Sequence, residues 1–196
     1  MQIPSTLLEQ AVTEFAKLPG IGRKTALRLV LHLLKQEPGQ TDLLAAAVTR
    51  MRHETRLCQR CYNIADGPLC PICSNPLRKK DLICVVESIR DVIAIENTQQ
   101  FSGSYHVLGG VISPLDGIGP DQLTIEALLK RIKEEDSKEL IFALNATIQG
   151  DTTLYYIQKK LQPQAIKITT IARGISFGGE LEYADEMTLA RSLQHR

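Results

Sequence analysis

The sequence predicts a multi-module α/β chain: a helical N-terminal part, a cysteine-rich clip, a parallel α/β sheet domain and a short C-terminal extension. Three observations predict this class. Apolar residues recur at helical spacing up to residue 51, four cysteines form two tight pairs between 58 and 73, and β-branched strands alternate with amphipathic helices after residue 80. The 196 residues suffice for one ordinary domain with small modules attached.

The N-terminal part is predicted to contain three helices. Residues 5–17 and 23–35 form the first two, separated by the sequence LPGIG, and EPGQ at 37–40 ends the pair. A third helix follows and carries an apolar face made of Leu43, Leu44, Ala47, Val48 and Met51.

The turn between the first two helices suits an anion. Gly20 and Gly22 permit backbone conformations that a Cβ atom would resist. The free amides and positive dipole end of the following helix favour a phosphate. Lys24 and Arg28 are four residues apart and share a helical face. The stretch therefore indicates contact with a nucleic-acid backbone, independent of base sequence.

Two other interpretations of this turn compete. The sequence GRKT resembles part of a nucleotide P-loop, but Arg23 separates Gly22 from Lys24, so the required G-x-x-x-x-G-K-S/T pattern is absent. We therefore exclude ATP or GTP hydrolysis. A plain helix–turn–helix corner with solvated charges remains open.

The cysteines predict a closed metal site. Cys58, Cys61, Cys70 and Cys73 form two C-x2-C pairs with eight residues between them. Two facing tight turns place four thiolates around one centre, which suits structural Zn²⁺ with one ion per chain. An iron–sulfur cluster or a rubredoxin-like iron is a minor alternative. A module this short has too little core to fold alone, so we expect the metal to supply folding free energy.

The segment after Lys80 predicts a parallel sheet with helices on both faces. Strands are expected at DLICVVE, YHVLGG, ELIFALN and AIKITTIA. Helices are expected at SIRDVIAIENT, DQLTIEALLKRIKEED and DTTLYYIQKKL, the second with Ile125, Leu128, Leu129 and Ile132 inward. Cys84 lies in an apolar strand, where a small buried hydrophobic side chain is expected.

Carboxylates follow several predicted strands. Glu87 comes directly after LICVV, and Asp116 follows the next strand. Ligands gather at the carboxyl ends of parallel strands, so Mg²⁺ binding is one interpretation. Asp121 and Asp151 directly precede predicted helices, and helix capping explains them better.

Charge is divided along the chain. Residues 1–80 carry 12 Lys and Arg against 6 Asp and Glu, whereas residues 81–196 carry 11 against 16. A basic half suits DNA and an acidic half suits protein partners, although solvated surface charge is the simpler explanation. No apolar run reaches membrane-spanning length and no secretory signal is recognised, so a cytoplasmic, nucleoid-associated protein is expected.

The ordered set of motifs resembles the RecR family of bacterial recombination mediators. The resemblance rests on LPGIGRKTALRL, the four-cysteine clip, ICVVES, FSGSYHVLGGVISPLDGIGPD and TIARGISFGGELEYADEMTLARSL. It implies a helix–hairpin–helix module at 1–56, a C4 zinc finger at 57–78, a Toprim domain at 79–171 and a C-terminal Walker B-like assembly segment at 172–196.

The resemblance also implies a function. Members of this family act in DNA repair with RecO and RecF and help to load RecA onto single-stranded DNA at gaps. They form dimers or tetramers, and the tetramer can encircle DNA. Lys24 and Arg28 then correspond to DNA-contacting positions, and with Gly20 and Gly22 of the same hairpin they are expected to bind single-stranded and duplex DNA. Glu87 and Asp116 correspond to acidic Toprim positions tied to RecO binding, with no catalytic residue implied.

The chain departs from the family pattern in one stretch. The usual N-P-T-x-E-G-E becomes NATIQGD, with Ala146, Gln149 and Asp151, which removes one carboxylate from the Toprim edge. The leading hypothesis is thus a non-enzymatic clamp in which the zinc clip braces the hairpin against the acidic domain. A Toprim-type Mg²⁺-dependent nuclease or topoisomerase-like enzyme using Glu87 is the alternative, and a scaffold that contacts only proteins is a third.

Overall fold

Two units make up the computed structural model, residues 1–55 and 56–196, and each is described by itself. The structure describes residues 3–162, 166–172, 174–175, 178 and 180–194. Within that part, every helix is too short or too polar to cross a membrane.

Three helices form the first unit: α1 (Thr6–Ala16), α2 (Arg23–Leu34) and α3 (Pro38–Glu54). Val12 of α1 packs on Ala26 and Val30 of α2, and these three buried side chains are the centre of a small core. The helices begin and end close to the predicted residues, except that α3 begins inside EPGQ, where Pro38 occupies a first-turn position that needs no amide donor.

The predicted apolar face of α3 is exposed. This helix has no buried residue, and Leu43 is 69% exposed and Met51 61% exposed. An exposed stripe of this kind is a candidate interface, because single-chain surfaces rarely leave large apolar patches in water.

The clip opens the second unit. Strands β1 (Arg56–Leu57) and β2 (Ile64–Ala65) pair antiparallel, and the four-residue helix α4 (Pro71–Ser74) carries the last cysteine of the clip. The four cysteines and Ala65 form a buried cluster of their own.

A four-stranded parallel sheet follows, as the alternating pattern predicted. Its strands are β3 (Lys79–Val86), β4 (Gly103–Val107), β5 (Glu139–Ala143) and β6 (Lys167–Thr170), in the spatial order β4-β3-β5-β6. The central strand β3 is fully buried over residues 83–86, because it is covered on both faces. Cys84 aligns with Tyr105 on one side and Ile141 on the other.

Helices cover both faces of this sheet. α6 (Ile125–Glu134) and α7 (Ile148–Leu161) pack on one face, where Ile83 and Val85 meet Leu128 and Ile157. α5 (Ile89–Asn97) packs on the other face, together with Tyr62 and Ile72 of the clip. The expectation of Cys84 as a small buried hydrophobic side chain is confirmed.

The capping roles expected for Asp121 and Asp151 are wrong. Asp121 lies in a separate 3-10 turn, Pro120–Gln122, and α6 begins later, after Thr124. α7 begins three residues before Asp151, because the Thr147 side chain accepts a hydrogen bond from the Gly150 amide at 3.1 Å and caps the helix. Asp151 lies instead in the first turn of α7, where a carboxylate interacts favourably with the positive end of the helix dipole.

The chain ends in a 3-10 turn (Leu181–Tyr183) and the helix α8 (Glu186–Gln194). The Walker B-like glycine-rich segment at 174–183 lies partly outside the described residues, so its assignment to assembly stays a prediction.

Candidate nucleic-acid interface and metal centre

The turn between α1 and α2 is a tight reversal set by Pro19 and Gly20. The amide of Ile21 donates to the carbonyl of Leu18 at 3.0 Å, and Gly20 has a φ of 79°. Proline at the second position and a positive φ at the third are typical of a type II turn. The expectation of an unusual conformation is confirmed for Gly20 but wrong for Gly22, whose φ of −78° any residue can adopt.

The N-terminus of α2 is open to an incoming anion. Gly22 is the N-cap residue, no side chain caps the helix, and the first turn holds no acidic residue. Within the described residues, a Cβ built on Gly22 would have no atom within 4 Å apart from its neighbours in the chain, so this backbone can be approached closely. Uncapped amides at a positive dipole end form an anion-binding surface.

The cations around this helix end differ in their availability. Lys24 and Arg28 are exposed on α2, four residues apart. Arg23 is hydrogen-bonded to the carboxylate of Glu9, which anchors α2 to α1. The structure therefore brings the four predicted DNA-binding residues to one corner of the unit, while the role itself stays a prediction.

The four clip cysteines converge on one point. Their Sγ atoms all lie within 4.8 Å of one another, and all four residues are buried. Cys70 also accepts a hydrogen bond from the amide of Cys73 at 3.5 Å, as expected where a thiolate begins a helical turn. Among the described residues this is the one group of three or more metal-capable side chains.

This geometry fits zinc. Tetrahedral coordination with Zn–S bonds of about 2.3 Å places sulfur atoms about 3.8 Å apart. The Cys61 and Cys70 sulfur atoms are 3.5 Å apart, so only small shifts are required. Four protein ligands leave no open position for substrate, and the zinc is structural.

The clip packs on the edge strand of the sheet. Cys61 offers its carbonyl to the amide of Val107 in β4 at 2.8 Å. The next residue, Tyr62, has a φ of 62° and places its ring 5.4 Å from that of His106. A backbone group of the clip thus occupies a hydrogen-bonding site that an edge strand would otherwise present to solvent.

Side chains cover three outward carbonyls of β4. Arg78 donates to the Gly103 carbonyl at 3.4 Å, and Arg131 donates to the Tyr105 carbonyl at 2.6 Å. The hydroxyl of Thr124 donates to the Val107 carbonyl at 2.7 Å. All five residues of β4, GSYHV, are buried, so this edge strand is not presented to solvent.

A network of two arginines and one glutamate joins the clip to α6. Arg60 makes a bidentate contact with Glu135 at 2.6 and 2.8 Å, and Arg131 donates to the same carboxylate at 3.0 Å. Burial opposes the ionised form of Glu135, but the hydrogen bonds from Arg60 and the charge of Arg131 outweigh it and lower the pKa of Glu135.

His106 is buried beside this network in a defined tautomer. Its Nε2 lies 3.1 Å from the Thr124 carbonyl and 3.0 Å from the Thr124 hydroxyl, whose own proton is donated to Val107. Nε2 must therefore carry the hydrogen, and Nδ1 is a buried acceptor without a hydrogen-bond partner among the described residues. Burial, aided by the charge of Arg131, lowers the pKa of His106 to about 4.

The carboxylates of Glu87 and Asp116 follow two neighbouring strands of the sheet, β3 and β4. Glu87 directly follows β3 and accepts a hydrogen bond from the side-chain amide of Asn145 at 2.8 Å. Asp116 ends the 3-10 turn that follows β4 and accepts from the hydroxyl of Ser113 at 2.5 Å. Each carboxylate accepts a hydrogen bond, which offsets the free-energy cost of placing a charge at the end of a buried strand.

Sequence reasoning missed Arg60, Arg131, Glu135 and His106. A signal for Arg131 was present, because it lies three residues after Leu128 and next to Ile132 on the inward face of α6. A cation on a buried helical face requires a partner. Its partner Glu135 also had a local signal, because the two residues are four positions apart. The contact of Glu135 with Arg60 had none, because 75 positions separate these two residues.

These features define a class of protein. An open helix–hairpin–helix corner, a four-cysteine zinc finger and a Toprim-like parallel sheet follow one another in a single chain.

Family models place the chain within that class. The model described as RecR, helix-hairpin-helix, matches residues 8–52, and that of the RecR four-cysteine zinc finger domain matches residues 55–75. The Toprim domain model matches residues 81–172 and the RecR C-terminal model residues 174–196.

Curated relatives agree over the full length. The chain is 58% identical to the "Recombination protein RecR" of Amoebophilus asiaticus, with 100% of this chain and 98% of that protein covered. It is 58% identical to the protein of the same name from Phocaeicola vulgatus, covering 100% and 95%, and 57% identical to that of Cytophaga hutchinsonii, covering 100% and 96%. The chain belongs to the RecR family.

Proposed function

We propose that this chain is a non-enzymatic DNA-binding mediator of recombinational repair. In this proposal it acts with RecO-like and RecF-like proteins to load a RecA-like recombinase onto single-stranded DNA at gaps. The observation that carries the DNA-binding part is the uncapped N-terminus of α2, with exposed Lys24 and Arg28 beside it. Amides and cations there suit phosphates in either single strands or duplexes.

The DNA-binding test compares two double variants with equal loss of charge. Lys24→Ala with Arg28→Ala removes the cations at the α2 corner. Lys130→Ala with Lys133→Ala removes two exposed cations from α6 and serves as the control. Affinity for labelled single-stranded and duplex DNA is measured by fluorescence anisotropy over a salt series.

We expect only the α2 variant to bind weakly. Its salt slope should fall by about 1 for each lost phosphate contact, whereas the control keeps the wild-type slope. Equal binding by both variants and the wild type would remove the corner from the mechanism. Nicking of the DNA in Mg²⁺ that disappears in Glu87→Ala would instead support the Toprim-type enzyme.

Assembly of several copies into a ring-like clamp is part of the proposal. The exposed face of α3 supports it, as does an apolar groove of about 610 Å³ between α1 and α2, which Leu7, Phe15 and Leu34 line. Several weak DNA-binding corners held in one particle raise the effective concentration of each. Val48→Asp on α3 should lower the mass measured by light scattering, and an unchanged mass would exclude this face.

The acidic strand ends are the proposed site for a RecO-like partner. Glu87 and Asp116 supply negative charge, and Leu115, which is 96% exposed, supplies an apolar contact beside them. Glu87→Gln with Asp116→Asn should weaken binding of the partner in calorimetry, whereas Asp121→Asn should not. Unchanged affinity in the double variant would rule out this edge.

A further inference from the structure

Two guanidinium groups meet one carboxylate where the zinc clip packs on α6. Arg60 is part of the clip itself, between Cys58 and Cys61, and its side chain is 17% exposed. Arg131 comes from α6 and its side chain is only 5% exposed. Glu135 bridges the two through the three hydrogen bonds described above.

The negative charge of the zinc site is one reason to expect cations beside the clip. Four thiolates around one Zn²⁺ carry a net charge of −2, and all four cysteines are buried. A buried negative charge is costly unless cations or hydrogen-bond donors offset it. Arg60, Arg131 and Glu135 together carry +1, so the triad reduces the uncompensated charge.

The triad also fixes where the clip lies. Besides Glu135, Arg131 holds the Tyr105 carbonyl at 2.6 Å and the Ser104 hydroxyl at 2.9 Å. Arg60 and the carbonyl of Cys61 then attach the first cysteine pair to α6 and to β4, respectively. The orientation of two metal ligands thus depends on residues far away in the sequence.

We propose that Arg60 and Arg131, bridged by Glu135, are positioning residues of the zinc site, which hold the first cysteine pair against the sheet and offset the charge of the tetrathiolate. Residues that orient metal ligands without binding the metal typically change metal affinity by about 10- to 100-fold.

The chain contains a matched control for a purely structural role. Arg78 makes a similar bidentate contact with Glu96, is also 17% exposed, and also covers a carbonyl of β4. Its side chain donates to Glu96 and to the carbonyls of Phe101 and Gly103, and to no residue of the clip. Arg78→Met therefore removes an arginine–glutamate pair beside β4 without removing a side-chain contact of the clip.

The experiment measures zinc affinity in full-length protein. Wild type, Arg60→Met, Arg131→Met and Arg78→Met are loaded with zinc and titrated with a chromogenic chelator, and the absorption of the Co²⁺-substituted forms reports ligand geometry. Urea unfolding followed by tyrosine fluorescence gives the stability of each variant. All five tyrosines lie beyond residue 55, so this signal reports only the second unit.

We expect Arg60→Met and Arg131→Met to bind zinc about 10- to 100-fold more weakly, with altered Co²⁺ spectra. Arg78→Met should lose stability yet keep zinc affinity within about twofold of the wild type. Should Arg131→Met fail to fold, Arg60→Met decides the matter, because the Arg60 side chain is 17% exposed whereas that of Arg131 is 5% exposed. An unchanged zinc affinity in Arg60→Met, or an equal loss in Arg78→Met, would overturn the proposal.

Discussion

Replacing His106 with glutamine should remove a large part of the acid sensitivity of the second unit. The side-chain amide of glutamine can keep the donation that Nε2 makes to Thr124, but it does not titrate. In the wild type, the pKa of His106 is lowered to about 4 by burial, against an unfolded value of about 6.5. The unfolded chain therefore takes up a proton at a higher pH than the folded chain does.

The sign and size of the effect follow from this difference. Because the unfolded state binds more protons between the two pKa values, stability falls as pH falls through that window. The loss from this residue is about 2 kcal/mol between pH 7.5 and pH 5, and it approaches about 3 kcal/mol below the folded pKa. Above pH 7.5 the contribution is constant. The nearby charges of Arg131 and Glu135 oppose one another at this site.

Urea unfolding of wild type and His106→Gln, followed by tyrosine fluorescence in excess zinc, measures this loss. Acid-induced loss of zinc affects both proteins, so the difference between their stabilities isolates the histidine. Parallel stability curves for wild type and His106→Gln from pH 7.5 to pH 5 would show that the reasoning is wrong.

Three further outcomes are expected. Gly20→Ala should lower the free energy of unfolding of the first unit by about 1 kcal/mol because φ of Gly20 is positive. Gly22→Ala should change that free energy by less than about 0.5 kcal/mol, because φ of Gly22 is negative. Hydrogen exchange of the α1 and α2 amides measures both, and equal costs would contradict the turn geometry. Gly150→Ala should cost about 1–3 kcal/mol in urea unfolding, since its Cβ would lie 2.2 Å from the Asn145 carbonyl oxygen, and a neutral result would contradict that clash. Burial raises the pKa of Cys84 to about 12, so this thiol should resist alkylation in native zinc-loaded protein, as mass spectrometry would show; rapid labelling would contradict its burial.

Local pattern was enough to predict most of the fold. Residues 82–86 are a short apolar run bounded by charges, and such a run has few alternatives to a buried strand. The predicted start of α7 was wrong, because two residues near it have side chains that can cap a helix. Asp151 resembled a helix cap, but Thr147 lies one turn earlier and its hydroxyl reaches the amide of Gly150. Both possible caps are visible in the sequence, and only the structure shows that the Thr147 hydroxyl makes the capping hydrogen bond.

The candidate site was predicted in part. Cysteine spacing alone indicated a tetrahedral metal centre, because ligands two residues apart must share a tight turn. The surface on which the clip packs was not predictable, since the contacts of Arg60 and Cys61 lie on α6 and β4. Contacts of this kind depend on tertiary arrangement and leave no periodic trace in a single sequence. The bracing of the hairpin by the clip stays a prediction.

The amide of Val107 connects metal supply to self-association. The carbonyl of Cys61 occupies this amide, while Arg78, Arg131 and Thr124 cover three carbonyls of the same strand. In a cell starved of zinc, we expect the clip to loosen and to release the Val107 amide. An edge strand would then lose part of its cover, which favours association with other copies of the chain.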